Sequence, residues 1–206
     1  ISADLLVLLT DMPGLMNADP RSTVQASLIE EIIEIDHELE QLAGGAGSAR
    51  GSGGMASKLS AAKIAAWSGV RTVIAAASRP EVLRDAVNQV PGVGTTIHAR
   101  DNQLSARKLW IAFALPSAGR IQVDAGAVKA LSQGGTSLLA AGVRSVDGQF
   151  EAFEAVEIVD ESGSVIAKGL TRLNAQSVQE LAGRRSSELA GRSGEIVHCD
   201  DLVILP

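Results

Sequence analysis

The chain has 206 residues, 46% of them hydrophobic, and a mean hydropathy of +0.18, which is enough for one large domain or two small ones and too apolar for wholesale disorder. The formal net charge is −6, with 8 basic against 12 acidic residues in 1–106 and 10 against 12 in 107–206, so neither half has the basic balance of a protein that binds chiefly nucleic-acid backbone. The single cysteine, Cys199, rules out an intrachain disulfide framework and suits a reducing cytosol, and no apolar run approaches the roughly 18–20 residues that span a bilayer.

Leu5 to Leu9 form an unbroken apolar run, as expected of a strand covered on both faces in a parallel sheet. The run ends in Thr10-Asp11-Met12-Pro13-Gly14-Leu15-Met16-Asn17-Ala18-Asp19-Pro20, and polar side chains at the carboxyl end of such a strand sit where open α/β sheets hold ligands. A Pro-Gly turn with Asp11 capping local backbone explains the same residues without a ligand. Ser27 to Ile35 reads as a strand or a short helix, and Asp36 to Leu42 as an acidic helix. Gly44 to Gly54 is a Gly/Ala/Ser loop too poor in apolar side chains to pack by itself. Met55 to Ser68 follows as a helix stopped by Gly69, a common residue just past a helix end. Arg71 to Ala76 reads as a strand. Ser78-Arg79-Pro80-Glu81 has the form of a capping box for a helix over Glu81 to Asn88, which stops before Pro91-Gly92. Strand, helix, strand, helix argues for an α/β layer.

The chain turns polar around Ala99 to Lys108, and the domain boundary is expected there, dividing 1–106 from 107–206. Beyond Gly119 the pattern is short and β-rich. Ile121 and Val123 alternate, and Ala125 to Gln133 makes one short helix. Val156 to Val159 and Val165 to Ala167 flank Asp160-Glu161-Ser162-Gly163 as a hairpin. A helix over Ala175 to Gly183 and a strand over Leu202 to Leu205 complete a small mixed barrel.

Chemistry concentrates in Ser52-Gly53-Gly54-Met55-Ala56-Ser57-Lys58, preceded by Gly51 and running into the helix. Gly53 and Gly54 let backbone approach an anion closely, the first N–H groups of the helix point the same way, and Lys58 adds a full positive charge. The spacing is not the Walker pattern. Alone, the stretch fits a flexible glycine-rich loop equally well; paired with the Thr10-Asp11 segment about forty residues upstream, it favours a phosphate site.

Together these residues resemble the amino-acid kinase family, in the branch of the glutamate 5-kinases. Thr10-Asp11-x-x-Gly14-Leu15 with Asp19-Pro20-Arg21 is similar to that family's nucleotide segment, and Gly51 to Lys58 to its second ATP loop. Met16 stands where the family usually has Tyr, and Ser52 replaces a Thr while keeping the hydroxyl. The remainder resembles the PUA domain of many bacterial members. The resemblance implies the C-terminal part of an α/β/α sandwich followed by a β-rich PUA-like pseudo-barrel. It implies ATP-dependent phosphorylation of the γ-carboxylate of L-glutamate in a cytoplasmic enzyme of proline biosynthesis, with ATP and Mg²⁺ as cofactors and a homo-oligomeric state. The loop over Gly44 to Gly54 is then expected to order over ATP. Lys58 is the expected catalytic residue, with Thr10, Asp11, Ser52, Gly53, Gly54, Met55, Ala56 and Ser57 binding the nucleotide. Because the chain starts at Ile1, just before a buried strand, the N-terminal half of the catalytic domain is expected to be missing and the chain alone inactive.

Other residues have plainer readings. A helical Lys58 is usually a solvated charge, and His37 in its acidic helix is expected to be exposed. His98 and His198 lack metal-ligand spacing, so no metal site is assigned. Cys199 is expected to be a small buried or half-exposed residue, and Trp67 and Trp110 core or domain-contact residues. Asp200 and Asp201, adjacent in a strand, should point to opposite faces. Two alternatives remain: an RNA-binding PUA module, against which the acidic balance counts, and another kinase of this fold acting on aspartate, acetylglutamate or a nucleoside monophosphate.

Overall fold

A computed structural model describes residues 3–18, 25–44, 54–189 and 193–205. The chain divides into two compact units, 1–104 and 105–206.

The first unit is built on a four-stranded sheet in the order β1-β3-β4-β2, from β1 (Leu5–Thr10), β2 (Glu31–Ile32), β3 (Arg71–Ala76) and β4 (Thr95–Ile97). β1 and β3 run parallel in register from Leu5 opposite Arg71 to Thr10 opposite Ala76. β4 is antiparallel to β3 and parallel to β2, so the sheet is mixed. β3 shows why an apolar strand forms here. Its side chains alternate, Ile74 joining the core beneath helices α1 (His37–Gly44) and α2 (Met55–Trp67), and Val73 and Ala75 the core beneath α3 (Val82–Val87). Both faces are therefore covered, giving the helix–sheet–helix layering of an α/β sandwich.

Local signals explain most element ends. Asp36 Oδ1 accepts the Leu39 N–H at 2.9 Å and caps α1. Past α2, Gly69 takes φ +77°, a left-handed conformation that glycine adopts without Cβ strain. The expected capping box does not form. The first helical residue is Val82 and its cap position, Glu81, is left-handed and makes no side-chain cap bond, its carboxylate pairing with Arg84 instead, so Ser78-x-x-Glu81 lies one turn too early. The turn is instead held by Arg79, whose guanidinium donates to the Gly92 carbonyl at 2.8 Å and to Asp85 at 3.2 Å. Of Ser27 to Ile35 only Glu31–Ile32 joins the sheet, with a separate bridge from Leu28 to Met16.

The second unit wraps one apolar core with a six-stranded sheet in the order β6-β10-β9-β8-β5-β7. Its elements are α4 (Ala106–Leu109) continuing into a π-helical turn (Trp110–Ala114), β5 (Gly119–Val123), α5 (Ala125–Ser132), β6 (Leu138–Leu139), β7 (Val143–Gly148), β8 (Ala155–Val159), β9 (Val165–Thr171), α6 (Ala175–Leu181) and β10 (Glu195–Ile204). β5 and β8 are parallel; the other pairs are antiparallel. The β8–β9 hairpin forms as expected. Asp160 holds its turn, Oδ1 accepting the Ser162 N–H at 2.9 Å, the Ser162 hydroxyl at 2.6 Å and the Ser164 N–H at 2.9 Å. Asp124 and Asn174 cap α5 and α6. Lys168, buried on β9, donates to the carbonyls of Ala112 and Leu115, tying the π-helical turn to the sheet. Trp67 is in the core of the first unit, whereas Trp110 is 49% exposed and not a core residue.

Candidate functional site

The end of β1 and the start of α2 lie at one end of the first sheet for a topological reason. α2 packs against β3, is joined to it by Ser68-Gly69-Val70, and so runs antiparallel to it. Thirteen helical residues cover about 20 Å and six strand residues about the same, so the first turn of α2 comes back to the carboxyl end of β3. β1 is parallel to β3 and in register with it, which puts Thr10 at that same end.

Thr10 is 9% exposed, and its hydroxyl donates to the exposed Asp11 carboxylate at 3.1 Å. The Thr10 carbonyl accepts the Ala77 N–H at 2.7 Å, which fixes the crossing out of β3. Of the expected phosphate loop, Gly54, Met55, Ala56, Ser57 and Lys58 are seen. Gly54 is extended (φ −62°, ψ 178°) and Met55 begins α2. The cap position, Gly54, offers no side chain, and the first turn of α2 holds no acidic residue, so among these residues no carboxylate answers the positive end of the helix dipole. Lys58 is half-buried one turn in. Ser52 and Gly53, like Gly51, Asp19, Pro20, Arg21 and the stretch 45–53 of the expected loop, lie outside the described residues. Lys63, a turn further along α2, is bound to Glu40 at 2.6 Å.

One positioning residue escaped the reading of the sequence. Thr95, fully buried at the start of β4, accepts the Leu15 N–H at 2.8 Å and donates to the Ile29 carbonyl at 2.7 Å. Ile29 N–H in turn donates to the Leu15 carbonyl at 2.8 Å. A single hydroxyl thus clamps the Gly14-Leu15 turn that leaves β1. The approach is close: a Cβ on Gly14 would stand 2.6 Å from Thr95 Oγ1 and 2.9 Å from the Thr95 backbone nitrogen. The signal was slight, since Thr95-Thr96-Ile97 is too short to show a period.

His37 is exposed, as expected, and bonds the Gln41 side chain at 2.8 Å. Among the described residues no helix is long and apolar enough to cross a membrane.

Comparison with known proteins places these features. Residues 1–76 match the amino acid kinase family and residues 119–191 match the PUA domain. A glutamate 5-kinase of Klebsiella pneumoniae subsp. pneumoniae is 44% identical over 98% of this chain and 56% of its own length. One from Shewanella sediminis is 42% identical over the same shares. A PUA domain from Aeropyrum pernix K1, solved as a tartrate complex, is 25% identical over 45% of this chain and 50% of its own, with a TM-score of 0.33. The chain spans about half the length of the curated relatives it matches. Along nearly all of its residues the chain is similar to glutamate 5-kinases, with the amino acid kinase match in its first unit and the PUA match in its second.

Proposed function

We propose that this chain carries the nucleotide-phosphate side of an ATP-dependent kinase that transfers the γ-phosphoryl group to the γ-carboxylate of L-glutamate, giving L-glutamyl 5-phosphate for proline synthesis. The observation that carries the reading is that a glycine-led helix start bearing Lys58, with no acidic residue in its first turn, comes to the carboxyl end of the parallel pair β1 and β3. That is the end at which such sheets hold ligands. The identity to glutamate 5-kinases over 98% of the chain supplies the acceptor.

The acceptor carboxylate is ionised near neutral pH, with a reference pKa of about 4.3, so no general base is needed. What remains for the protein is to hold the phosphates in line and to offset charge as the group transfers. In this proposal the N–H groups at the start of α2 and the Lys58 ammonium take the phosphate tail, while Thr10 and Asp11 contact the nucleotide without reacting. Mg²⁺ bound to the ATP phosphates supplies further charge neutralisation. Residues 1–106 serve the nucleotide and 107–206 form the PUA-like part.

The test compares two lysines on one helix in the full-length enzyme. Lys58→Ala is expected to lower kcat about 10²–10³-fold, the usual cost of removing a charge-stabilising donor. Lys63→Ala, which breaks only the pair with Glu40, leaves kcat within about threefold. Equal activity of the two variants takes Lys58 out of the mechanism.

A further inference from the structure

The β9–β10 ladder is interrupted. Val197 pairs with Thr171 but Leu202 pairs with Gly169, so five steps along β10 face two along β9 and three extra residues are forced out of register. In a regular strand neighbouring side chains alternate faces; in this bulge they need not. The result is a convergence of three consecutive side chains, which strict alternation would not produce. His198 Nδ1, Cys199 Sγ and a carboxylate oxygen of Asp200 all lie within 4.8 Å of one another. Asp201 is directed instead to Arg107 at 2.6 Å.

The three atoms are electron-rich and face each other. The Asp200 N–H donates to His198 Nδ1 at 3.1 Å, so that nitrogen carries a lone pair and the proton of the neutral ring is on Nε2. The same Nδ1 stands 3.4 Å from Asp200 Oδ2 and 3.9 Å from Cys199 Sγ, and Sγ is 3.9 Å from Asp200 Oδ1. Ligand atoms bound at about 2.0–2.3 Å around a tetrahedral ion are separated by roughly 3.3–3.6 Å, so bringing one Asp200 oxygen onto an ion shared with Nδ1 and Sγ takes a closure of up to about 1 Å from the 4.8 Å spread, within reach of a rotation of the exposed Asp200 side chain. Its frame is already fixed: Lys108 Nζ donates to the Cys199 carbonyl at 3.0 Å and the Cys199 N–H meets Ser137 Oγ at 3.0 Å. Asp200 is largely exposed and Cys199 half-buried, which leaves an entry path and a place for water as fourth ligand.

We propose that His198, Cys199 and Asp200 bind one divalent ion of borderline-soft character, of the Zn²⁺ class, on the β10 bulge. Imidazole nitrogen, thiolate and carboxylate together suit such an ion better than Mg²⁺ or Ca²⁺, which prefer oxygen alone. On binding, the Cys199 thiol gives its proton to solvent, and thiolate plus carboxylate balance the two positive charges. The ion takes over the Nδ1 lone pair now shared with the Asp200 N–H.

Titration of the 206-residue chain with Co²⁺ tests this directly. One equivalent is expected to give a sulfur-to-cobalt charge-transfer band in the near ultraviolet and visible bands of tetrahedral intensity, both abolished by Zn²⁺. His198→Asn and Cys199→Ser should each weaken Zn²⁺ binding more than about tenfold with unchanged far-ultraviolet dichroism, since neither residue is in the core. Saturating Zn²⁺, but not Mg²⁺, should slow alkylation of Cys199, and should fail to do so in His198→Asn. Absence of the sulfur–cobalt band, an affinity unchanged in Cys199→Ser, or alkylation indifferent to Zn²⁺ overturns the proposal.

Discussion

Replacing Thr95 by Val isolates the hydroxyl that clamps the turn after β1, because the side chain keeps its shape and loses only its polarity. The hydroxyl accepts the Leu15 N–H at 2.8 Å and donates to the Ile29 carbonyl at 2.7 Å, in a site where Thr95 is fully buried and Leu15 only 2% exposed. Valine leaves two buried backbone groups without that partner. At about 1–3 kcal/mol for a buried orphaned group, and less for the half-buried Ile29 carbonyl, the loss should be about 2–4 kcal/mol. Thr95→Ser keeps the hydroxyl and removes one methyl group, at a cost of about 1 kcal/mol. Urea unfolding of the 206-residue chain, followed by the fluorescence of buried Trp67 in a Trp110→Phe background, reads the difference. A loss of 3 kcal/mol corresponds to a midpoint lower by about 1–2 M. If Val is tolerated as well as or better than Ser, the hydroxyl is not the clamp and the turn is held by packing alone.

Burial lowers the pKa of the Lys168 ammonium below its ordinary 10.5, with Glu157 opposing the shift. Between that lowered value and 10.5 the unfolded chain binds more protons than the folded one, so stability rises with pH across the window. Relative to Lys168→Met, the native chain should therefore gain stability as pH climbs toward 10.5; a difference that stays flat or shrinks contradicts the assignment. At Asp160 the Ser162 hydroxyl above all, opposed by desolvation and aided by the N–H groups of Ser164, Ser162 and Gly163, holds the carboxyl below its ordinary 3.8. Its contribution is present above pH 3.8 and lost as pH falls through the lowered value, so denaturation curves for Asp160→Ala and the native chain should converge under strong acid and separate near neutrality. Finally, we expect the 206-residue chain by itself to show no glutamate-dependent ATP consumption, since it spans about half of its kinase relatives; turnover above background in a coupled assay would refute that expectation.

How much of this was legible depends on how far each signal reaches along the chain. β1, α2 and β3 were readable because continuous apolar runs and a helix-stopping glycine act locally; Arg71 to Ala76 and Leu5 to Thr10 form strands, but β1 stands at the edge of the described sheet with Leu9 43% exposed rather than covered on both faces. The β8–β9 hairpin was readable because Asp160 and Gly163 specify a turn between two apolar strands. β4 was not, since three residues take their conformation from pairing with β3, whose partners lie more than twenty positions away. α4 and its π-helical turn were hidden for a similar reason: their anchor, Lys168, is 53 residues downstream. At the candidate site Gly54 and Lys58 announced themselves by composition, while Thr95 did not, because its role consists of two partners at separations of 80 and 66 residues. Asp200 and Asp201 do not converge, in line with the alternation rule, but that rule gave no sign that Cys199 would lie beside His198 and Asp200 across a bulge that only the register of β9 reveals.

The grip of Lys168 on the turn ahead of β5 bears on where the C-terminal unit begins and ends. The family match covers 119–191, yet Ile111 is fully buried before that span, and Ile196, Val197, Leu202 and Val203 are buried after it. Trimming to the matched boundaries would strip an inner strand from the sheet and take the Ala112 and Leu115 carbonyls away from the Lys168 ammonium. The smallest autonomous piece must run from Ser105 to the chain's last strand, and anything shorter should collapse into aggregates when expressed.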